Sequence, residues 1–317
     1  MKRMLMLRMP PETFRKALLS AKEGKDIFPE ILGQPEVKRE FIAGLLVGRN
    51  IIIIGPPGVG KTTLVKGVAK LDKSLQNLVR IQGSPDLTVE DILGDIDPVK
   101  ALTYGPLSLE AFQKGKIFRA DKGILFFDEL NRCPEKLQNS LLQVLEEKKA
   151  TIGSYDVDFD LDFIFIGTMN PEDSSTEKLS DVLLDRFDVI EMTYPESADV
   201  ERKIVRRKGK NMAVVSEQLL SLMVHFVRKL REAKDVEKKP SVRASLGLYE
   251  RTQANALLDG RKEANVDDLK KAILPVLSHR ISLKPSVRYL ESPRAFLEKQ
   301  FKQVDMDKFL HQHGDAG

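Results

Sequence analysis

The chain has 317 residues, 42% of them hydrophobic and 31% charged, which is ordinary for a globular protein and long enough for two domains. Its net charge of +4 is too small to indicate a nucleic-acid-binding protein, and no apolar run approaches the ~20 residues of a membrane-spanning helix. The single cysteine excludes an intramolecular disulfide and fits a reducing compartment, so we expect a cytoplasmic protein.

The chain begins with a basic, amphipathic stretch, residues 1–26, which favours a helix or an arm in front of the first domain. A helix that runs to about Val47 follows the turn at Gly33-Gln34. This turn shortly precedes a glycine-rich loop, so its backbone and the Gln34 side chain could lie near an adenine. An ordinary helix cap is the alternative interpretation.

A strand of four isoleucines leads directly into the glycine-rich loop, and a helix follows it. Residues 51–63 match the pattern G-x-x-x-x-G-K-[ST] in the strand–loop–helix context that this motif requires. Glycines let the backbone approach a phosphate, and the amide groups and the helix N-terminus favour the anion. Lys61 can then reach the β- and γ-phosphates, and the Thr62 hydroxyl can ligate Mg²⁺. The predicted nucleotide-binding residues are Gly33, Gln34, Gly55, Pro56, Pro57, Gly58, Val59, Gly60, Lys61, Thr62 and Thr63.

Residues 78–81 are predicted as a short strand, and residues 82–118 are then rich in glycine and proline. So long a stretch without a periodic pattern indicates an insertion with a function. Within it, residues 107–113 favour a short helix.

Residues 123–129 read G-I-L-F-F-D-E, a buried strand that ends in two carboxylates. Open parallel sheets bind ligands beyond the carboxyl ends of their strands. Asp128 would therefore hold Mg²⁺ directly or through water, and Glu129 would orient or deprotonate the attacking water. Alone, this pattern is as typical of a solvated acidic pair; beside the glycine-rich loop it favours catalysis.

A helix is predicted over residues 134–149 and a hairpin over residues 150–163, one arm of which alternates acidic and apolar residues. This acidic face argues against a role in gripping nucleic-acid phosphates. A buried strand over residues 163–169 then ends at Asn170, which could hydrogen-bond the attacking water or the γ-phosphate. An asparagine before a proline also starts turns, so that alternative stays open.

After a last strand at residues 188–193 the pattern becomes helical only, and we place the domain boundary at residue 195. Helices are predicted over residues 216–231, 241–258 and 265–277. The charged segment 231–239 is expected to be exposed. A basic cluster within residues 202–210 is more typical of a solvated helix face than of a contact for an anionic partner.

These motifs, in this order, resemble the AAA+ ATPases, and in particular the MoxR branch and its relative, the magnesium-chelatase ATPase subunit. The MoxR resemblance rests on R-I-Q-G-S-P-D-L with D-I-L-G (80–94), D-E-L-N-R (128–132), G-T-M-N-P (167–171) and L-D-R-F (184–187). Residues 94–97 and 119–125 look more like the chelatase subunit. The resemblance implies an α/β fold: a P-loop AAA+ three-layer αβα core with a parallel five-stranded sheet over residues 27–195, followed by a small all-helical lid and a tail, 196–317. Residues 82–118 correspond to the branch's helix-2 insert.

The resemblance also implies roles for single residues. Lys61 and Thr62 would bind phosphate and Mg²⁺, Asp128 would support Mg²⁺, and Glu129 would activate water. The remaining residues would be a polar sensor, an arginine finger that reaches a neighbouring subunit's γ-phosphate, the lid's sensor arginine and a further interface arginine: Asn170, Arg186, Arg243 and Arg132. A surface ion pair with Asp185 or Asp188 is the alternative for Arg186.

The function implied is hydrolysis of ATP with Mg²⁺ by a homo-oligomeric ring, a hexamer or a heptamer, that remodels or activates a protein client. Clients with von Willebrand factor A domains are typical of the branch. A DNA-dependent, helicase-like motor is the alternative, but it expects a basic hairpin. A nucleotide-gated scaffold without turnover is a third, against which the intact motif residues argue. A signalling GTPase is not expected, because no N-K-x-D segment follows the Asp128 strand.

Overall fold

The computed structural model describes residues 11–23, 25–72, 77–106, 108–151, 158–171 and 179–304. These residues form two compact units. The first contains the described residues up to Pro56 and from Gly60 to Met192; the second contains Pro57–Val59 and the described residues from Thr193 onward.

The first unit is built from strands and helices that alternate along the chain. Its helices are α1 (Glu12–Leu19), α2 (Pro35–Leu46), α3 (Lys61–Ala69), α4 (Val89–Leu93), α5 (Pro98–Tyr104), α6 (Glu135–Glu147) and α7 (Asp181–Leu184). Its strands are β1 (Asn50–Ile54), β2 (Leu78–Gln82), β3 (Gly94–Ile96), β4 (Phe112–Lys114), β5 (Ile124–Asp128), β6 (Lys149–Thr151), β7 (Asp158–Asp160), β8 (Ile164–Met169) and β9 (Phe187–Glu191).

The predicted five-stranded parallel sheet is confirmed, with the strand order β2-β5-β8-β1-β9. Every pairing in it is parallel. Such sheets are covered on both faces, which is why β1 and β5 read as continuous apolar runs rather than as alternating ones. Because all strands point the same way, the residues that follow β1, β5 and β8 meet at one edge of the sheet.

Helices cover both faces of this sheet, as the side-chain period of two in each strand requires. On one face Ile52, Leu125 and Phe127 share an apolar cluster with α6, through Leu137 and Leu141. On the other face α2 approaches so closely that a Cβ built at Gly44 would lie 3.0 Å from Ile51 Cδ1. The three-layer arrangement follows from these two contacts.

The insert at residues 82–118 has more regular structure than its composition indicates. Thr88 and Asp91 form a capping box at the start of α4, and β3 pairs with β4 in an antiparallel ribbon around α5. Of the short helix expected within residues 107–113, a 3₁₀ helix over Leu109–Ala111 is present, but β4 begins at Phe112, and residue 107 lies outside the described part. The reason is non-local, because the Phe112 ring stacks at 5.7 Å on Phe159, which belongs to β7.

The hairpin predicted over residues 150–163 is present in its described arms, where β6 and β7 pair in antiparallel register. Its turn, residues 152–157, lies outside the described residues. Of the N-terminal stretch, α1 is a helix that buries Phe14 and Leu18. Residues 1–10 also lie outside the described part.

The second unit is a helical domain. Its helices are α8 (Ala198–Lys208), α9 (Glu217–Glu232), α10 (Val242–Leu258), α11 (Val266–Leu277), α12 (Pro285–Arg288) and α13 (Pro293–Lys302). To the predicted helices the structure adds a short antiparallel ribbon, β10 (Val236–Lys238) with β11 (Ser282–Leu283). Residues 305–317 lie outside the described part. Among the described residues, no helix is long and apolar enough to cross a membrane.

One expectation about this unit is wrong. Arg231 was expected in an exposed segment, but its side chain is buried and forms a bidentate ion pair with Glu201, at 2.6 and 2.7 Å. The partner lies thirty positions earlier in the chain. No local charge pattern could have indicated that burial.

Candidate nucleotide-binding site

The loop between β1 and α3 has the backbone geometry that its glycines predict. Gly58 and Gly60 adopt φ of +77° and +112°, in the left-handed region that glycine favours. A Cβ at Gly55 would lie only 2.0 Å from the carbonyl oxygen of Met192, so β1 and the end of β9 need glycine there to meet. The Lys61 ammonium donates to the carbonyl oxygens of Gly55 and, at 2.9 Å, Pro56.

The segment before α2 lies against this loop and against α3, the helix that follows it. Ile31 Cδ1 would be 3.0 Å from a Cβ at Gly60, and the Phe28 ring 2.9 Å from one at Gly67. Gly33 and Gln34 both have positive φ, +70° and +59°. Gln34 occupies the N-cap position of α2, but its side chain makes no capping hydrogen bond there. The cap alternative for Gln34 therefore lacks the contact that would define it.

Asp128 lies at the carboxyl end of β5, and its side chain is only 10% exposed. Thr168 donates from Oγ1 to Asp128 Oδ1 at 2.6 Å, which fixes the carboxylate. The other oxygen, Oδ2, lies 3.4 Å from Thr62 Oγ1 and accepts a hydrogen bond from Arg80 Nη2 at 2.6 Å. The carboxylate is thus oriented from one side and directed toward the start of α3 on the other.

The spacing of Thr62 and Asp128 fits a magnesium ion. Mg²⁺ takes oxygen ligands at about 2.0–2.1 Å in octahedral geometry, so neighbouring ligands lie about 3 Å apart. The Thr62–Asp128 oxygen pair, at 3.4 Å, is close to that value. A site with one or two protein oxygens, completed by phosphates and water, is the arrangement that Mg²⁺ prefers.

Glu129 follows β5 in a strained conformation, with φ of +59°. Its amide donates to Thr168 Oγ1 at 3.0 Å, and a Cβ at Gly83 would lie 2.1 Å from its carbonyl oxygen. Its carboxylate accepts from Gln82 Nε2 at 2.9 Å and pairs with Arg132 Nη1 at 3.2 Å. The glutamate is therefore held at the same sheet edge as Asp128.

Asn170 comes directly after β8, the strand between β1 and β5. Its carbonyl oxygen accepts from Asn131 Nδ2 at 3.2 Å, a contact between the two loops that follow β5 and β8. Asn170 thus lies in the group of residues that follow the carboxyl ends of the central strands.

Arg186 forms an ion pair within its own chain. The guanidinium pairs with Glu146 at the end of α6 and donates to the carbonyl oxygen of Val182. The alternative partners were Asp185 and Asp188, and the geometry selects neither. The Arg186 side chain is 25% exposed and that of Glu146 is 47% exposed, so the pair lies at the surface of the unit.

In the second unit, Arg243 is exposed in the first turn of α10, where Ser241 caps the helix by accepting from the Arg243 amide. That unit includes the loop residues Pro57–Val59, and the Arg243 Cγ would lie 3.1 Å from a Cβ at Gly58. Arg132, in contrast, contacts Glu129 of its own chain.

Sequence reasoning missed residues that hold the acidic pair: Arg80, Gln82 and Thr168. Arg80 and Gln82 are two positions apart on β2, so they share a face, and β2 neighbours β5. Once that neighbourhood is known, the R-I-Q pattern indicates a polar pair opposite the carboxylates. Cys133, in contrast, is buried, and desolvation raises its pKa to about 11, so its thiol serves packing.

Comparison with known families agrees with this geometry. The family model described as "AAA domain (dynein-related subfamily)" matches residues 50–187, and the model described as "AAA lid domain" matches residues 228–300. The chain belongs to the MoxR-like AAA+ ATPases. The first match contains the glycine-rich loop, the acidic pair and Arg186; the second contains Arg243.

Named relatives share the sequence over most of its length. Chaperone MoxR1 of Mycobacterium tuberculosis is 28% identical over 80% of this chain and 73% of that protein. YeaC of Bacillus subtilis is 27% identical over 82% of this chain and 85% of that protein. The magnesium-chelatase subunit ChlI of Guillardia theta is 24% identical over 81% and 90%. A solved RuvB structure from Thermotoga maritima, 20% identical, covers 79% of this chain and 72% of that one with a TM-score of 0.53, which shows a shared fold.

Proposed function

We propose that this AAA+ ATPase hydrolyses ATP with Mg²⁺ in a homo-oligomeric ring, a hexamer or heptamer, to remodel or activate a partner protein. One observation carries the proposal: Thr62, Asp128 and Glu129 converge at the carboxyl edge of the sheet, with Thr62 Oγ1 3.4 Å from Asp128 Oδ2. A carboxylate beside the first hydroxyl of a phosphate-loop helix has the chemistry of a metal–triphosphate site.

The residues divide the work of hydrolysis. Mg²⁺, when bound, neutralises the phosphate oxygens. Lys61 is the first residue of α3, directly after the loop whose amides would cradle the phosphates. Its ammonium must turn from the carbonyl oxygens of Gly55 and Pro56 to reach them. Glu129 takes up the proton of the attacking water or orients that water. Asn170 binds the water or the γ-phosphate, and Arg243 serves as the lid arginine.

Arg186 is proposed to act on the nucleotide of a neighbouring subunit. For this the guanidinium must leave Glu146, and the 47% exposure of the Glu146 side chain supports such a release, since water can solvate that carboxylate when the pair opens. Arg132, paired with Glu129 in its own chain, is proposed to become an interface arginine only if that pair opens.

The client is proposed to be a protein, and von Willebrand factor A-domain proteins are the first class to test. The relatives named chaperone and magnesium-chelatase subunit support a protein client over nucleic acid. The DNA-motor alternative is not favoured, because the likeness to RuvB is a likeness of fold and β7 carries Asp158 and Asp160.

The decisive experiment mixes two variants that are each inactive alone. Glu129→Gln keeps the finger but loses the acid, and Arg186→Ala keeps the acid but loses the finger. If Arg186 acts in trans, then in a 1:1 mixture about a quarter of the interfaces combine an intact acid with an intact finger, and phosphate release returns. Each variant alone should lose about 10³-fold or more in turnover.

A mixture that stays as inactive as its parts, while both variants still bind ATP and assemble, would exclude the trans role. Mant-ATP binding and sedimentation of each variant provide those controls. Lys61→Ala mixed with Glu129→Gln is the matched negative, since neither variant supplies a competent site. If Arg186→Ala alone retains full turnover, hydrolysis does not require this arginine from a neighbouring subunit.

A further inference from the structure

Arg80 occupies a position at the acidic pair that no role above explains. Its Nη2 donates to Asp128 Oδ2 at 2.6 Å and to Gln82 Oε1 at 2.9 Å. Gln82 in turn donates to Glu129 at 2.9 Å. Two side chains of β2, Arg80 and Gln82, thus bind the two carboxylates at the end of β5, Asp128 and Glu129.

The oxygen that Arg80 binds is the one that the metal site needs. Asp128 Oδ1 is bound by Thr168, whereas Oδ2 faces Thr62 at 3.4 Å. A guanidinium at hydrogen-bond distance and a divalent cation at about 2 Å from the same oxygen repel each other strongly. The two cations therefore compete for one carboxylate oxygen.

Arg80 is also the partner that can move. Its side chain is 46% exposed, whereas that of Asp128 is 10% exposed and anchored by Thr168. The guanidinium carbon lies 6.0 Å from the centroid of the Phe126 ring, at the outer limit of a cation–π contact. Because Arg80 is nearly half exposed, water can solvate its guanidinium when it leaves the carboxylate.

We propose that Arg80 is the cation that Mg²⁺ replaces at Asp128. Arg80 neutralises the carboxylate until the metal enters with the nucleotide, and then withdraws from Oδ2. This inference rests on the proposed Mg²⁺–ATP site. It makes Arg80 a competitor of the metal rather than a support for it, and the sign of one measured effect separates those roles.

The test is the affinity of mant-ADP for the protein in excess Mg²⁺ and in EDTA. Arg80→Met keeps an unbranched apolar stem and removes the guanidinium and its charge. If Arg80 competes with the metal, Kd in Mg²⁺ should fall by about fivefold, the factor that corresponds to the about 1 kcal/mol of a partly exposed ion pair. Kd in EDTA should stay within about twofold, because metal-free nucleotide leaves the Asp128 pair in place. Arg80→Lys should lie between the wild type and Arg80→Met.

Arg132→Met is the matched control for charge, since Arg132 pairs with Glu129 at 3.2 Å, whereas Arg80 donates to Asp128. Arg132→Met removes a nearby positive charge, so it should lower Kd in Mg²⁺ only slightly. If both variants lower Kd equally, Arg80 acts only as one of several nearby positive charges, and the inference is overturned. Unchanged or weaker binding of Arg80→Met in Mg²⁺, with a normal circular dichroism spectrum, would also overturn it. A wild-type protein that binds no mant-ADP in either buffer would refute the proposed function itself.

Discussion

The buried ion pair between Glu201 and Arg231 gives the sharpest prediction about the stability of the second unit. Glu201 is completely buried and accepts from both terminal nitrogens of Arg231 and, at 2.5 Å, from Ser245 Oγ. Arg231→Met removes both hydrogen bonds of the bidentate pair and the nearer of two cations. It leaves a carboxylate without access to water, with Arg228 Nη1 at 3.8 Å as its remaining cation. Such a loss costs about 3–5 kcal/mol.

This loss is large compared with the free energy of unfolding of a typical domain, about 5–15 kcal/mol. With a urea m-value of about 2 kcal/mol per molar, the unfolding midpoint should fall by about 1.5–2.5 M. Urea titration followed by far-ultraviolet circular dichroism measures this directly. The structural effect should reach function, because Arg231 Nε also holds the carbonyl oxygen of Pro240, just before the cap of the helix that carries Arg243.

Two further variants make the reasoning refutable. Glu201→Leu combined with Arg231→Met replaces the pair by apolar side chains, so it should recover at least half of the loss. Lys270→Met removes an exposed pair with Asp267 and should change stability by less than about 1 kcal/mol. If Arg231→Met costs no more than Lys270→Met, or if the double variant is less stable than the single one, desolvation of Glu201 is not the dominant cost.

Two other predictions concern the first unit's acidic loop and the second unit's response to acid. Gly83→Ala would place a methyl group 2.1 Å from the Glu129 carbonyl oxygen, so we expect turnover to fall by about 10² while mant-ADP affinity changes little; loss of affinity and turnover together would contradict this. The Arg261 guanidinium lowers the pKa of Asp268 in the folded state. The ionised carboxylate therefore stabilises the unit at pH values above about 4, the pKa of Asp268 in the unfolded chain. This contribution is lost as the pH falls through the lower pKa of the folded state. Arg261→Met should therefore move acid unfolding, followed by circular dichroism, to higher pH; an unchanged midpoint would refute the link.

The sheet and its motifs could be predicted because their signals are local. Four isoleucines followed by the glycine loop, and I-L-F-F followed by Asp128 and Glu129, define two strands of the sheet and the residues that follow them. Parallel pairing then brings the ends of these strands together, whatever the loops contain. The same reasoning placed Asn170 after β8.

The insert could not be predicted because its structure depends on distant contacts. Its strands are three residues long, too short to show a period. Phe112 is fixed by Phe118 and Phe159, and Phe159 lies in another hairpin. Composition alone indicates only that glycine and proline are frequent there.

The partners of two arginines with proposed functional roles could not be predicted either, because they are distant in the sequence. Arg186 was assigned as a finger with Asp185 or Asp188 as alternative partners, yet its partner is Glu146, forty positions away. Arg80 was noted only as part of a motif, yet it binds Asp128, forty-eight positions away. In each case the residue type was informative and the partner was not.

These two pairs suggest how the proposed cycle can be reversible. In that proposal Asp128 would exchange Arg80 for the metal, and Arg186 would exchange Glu146 for the phosphate of a neighbour. One partner in each resting pair is nearly half exposed, Arg80 at 46% and Glu146 at 47%. The exposed partner of each pair can be solvated when the pair opens, so opening costs less than it would for a pair with both partners buried. A buried pair such as Glu201–Arg231 could not serve this purpose, because opening it would cost a large part of the stability of the unit.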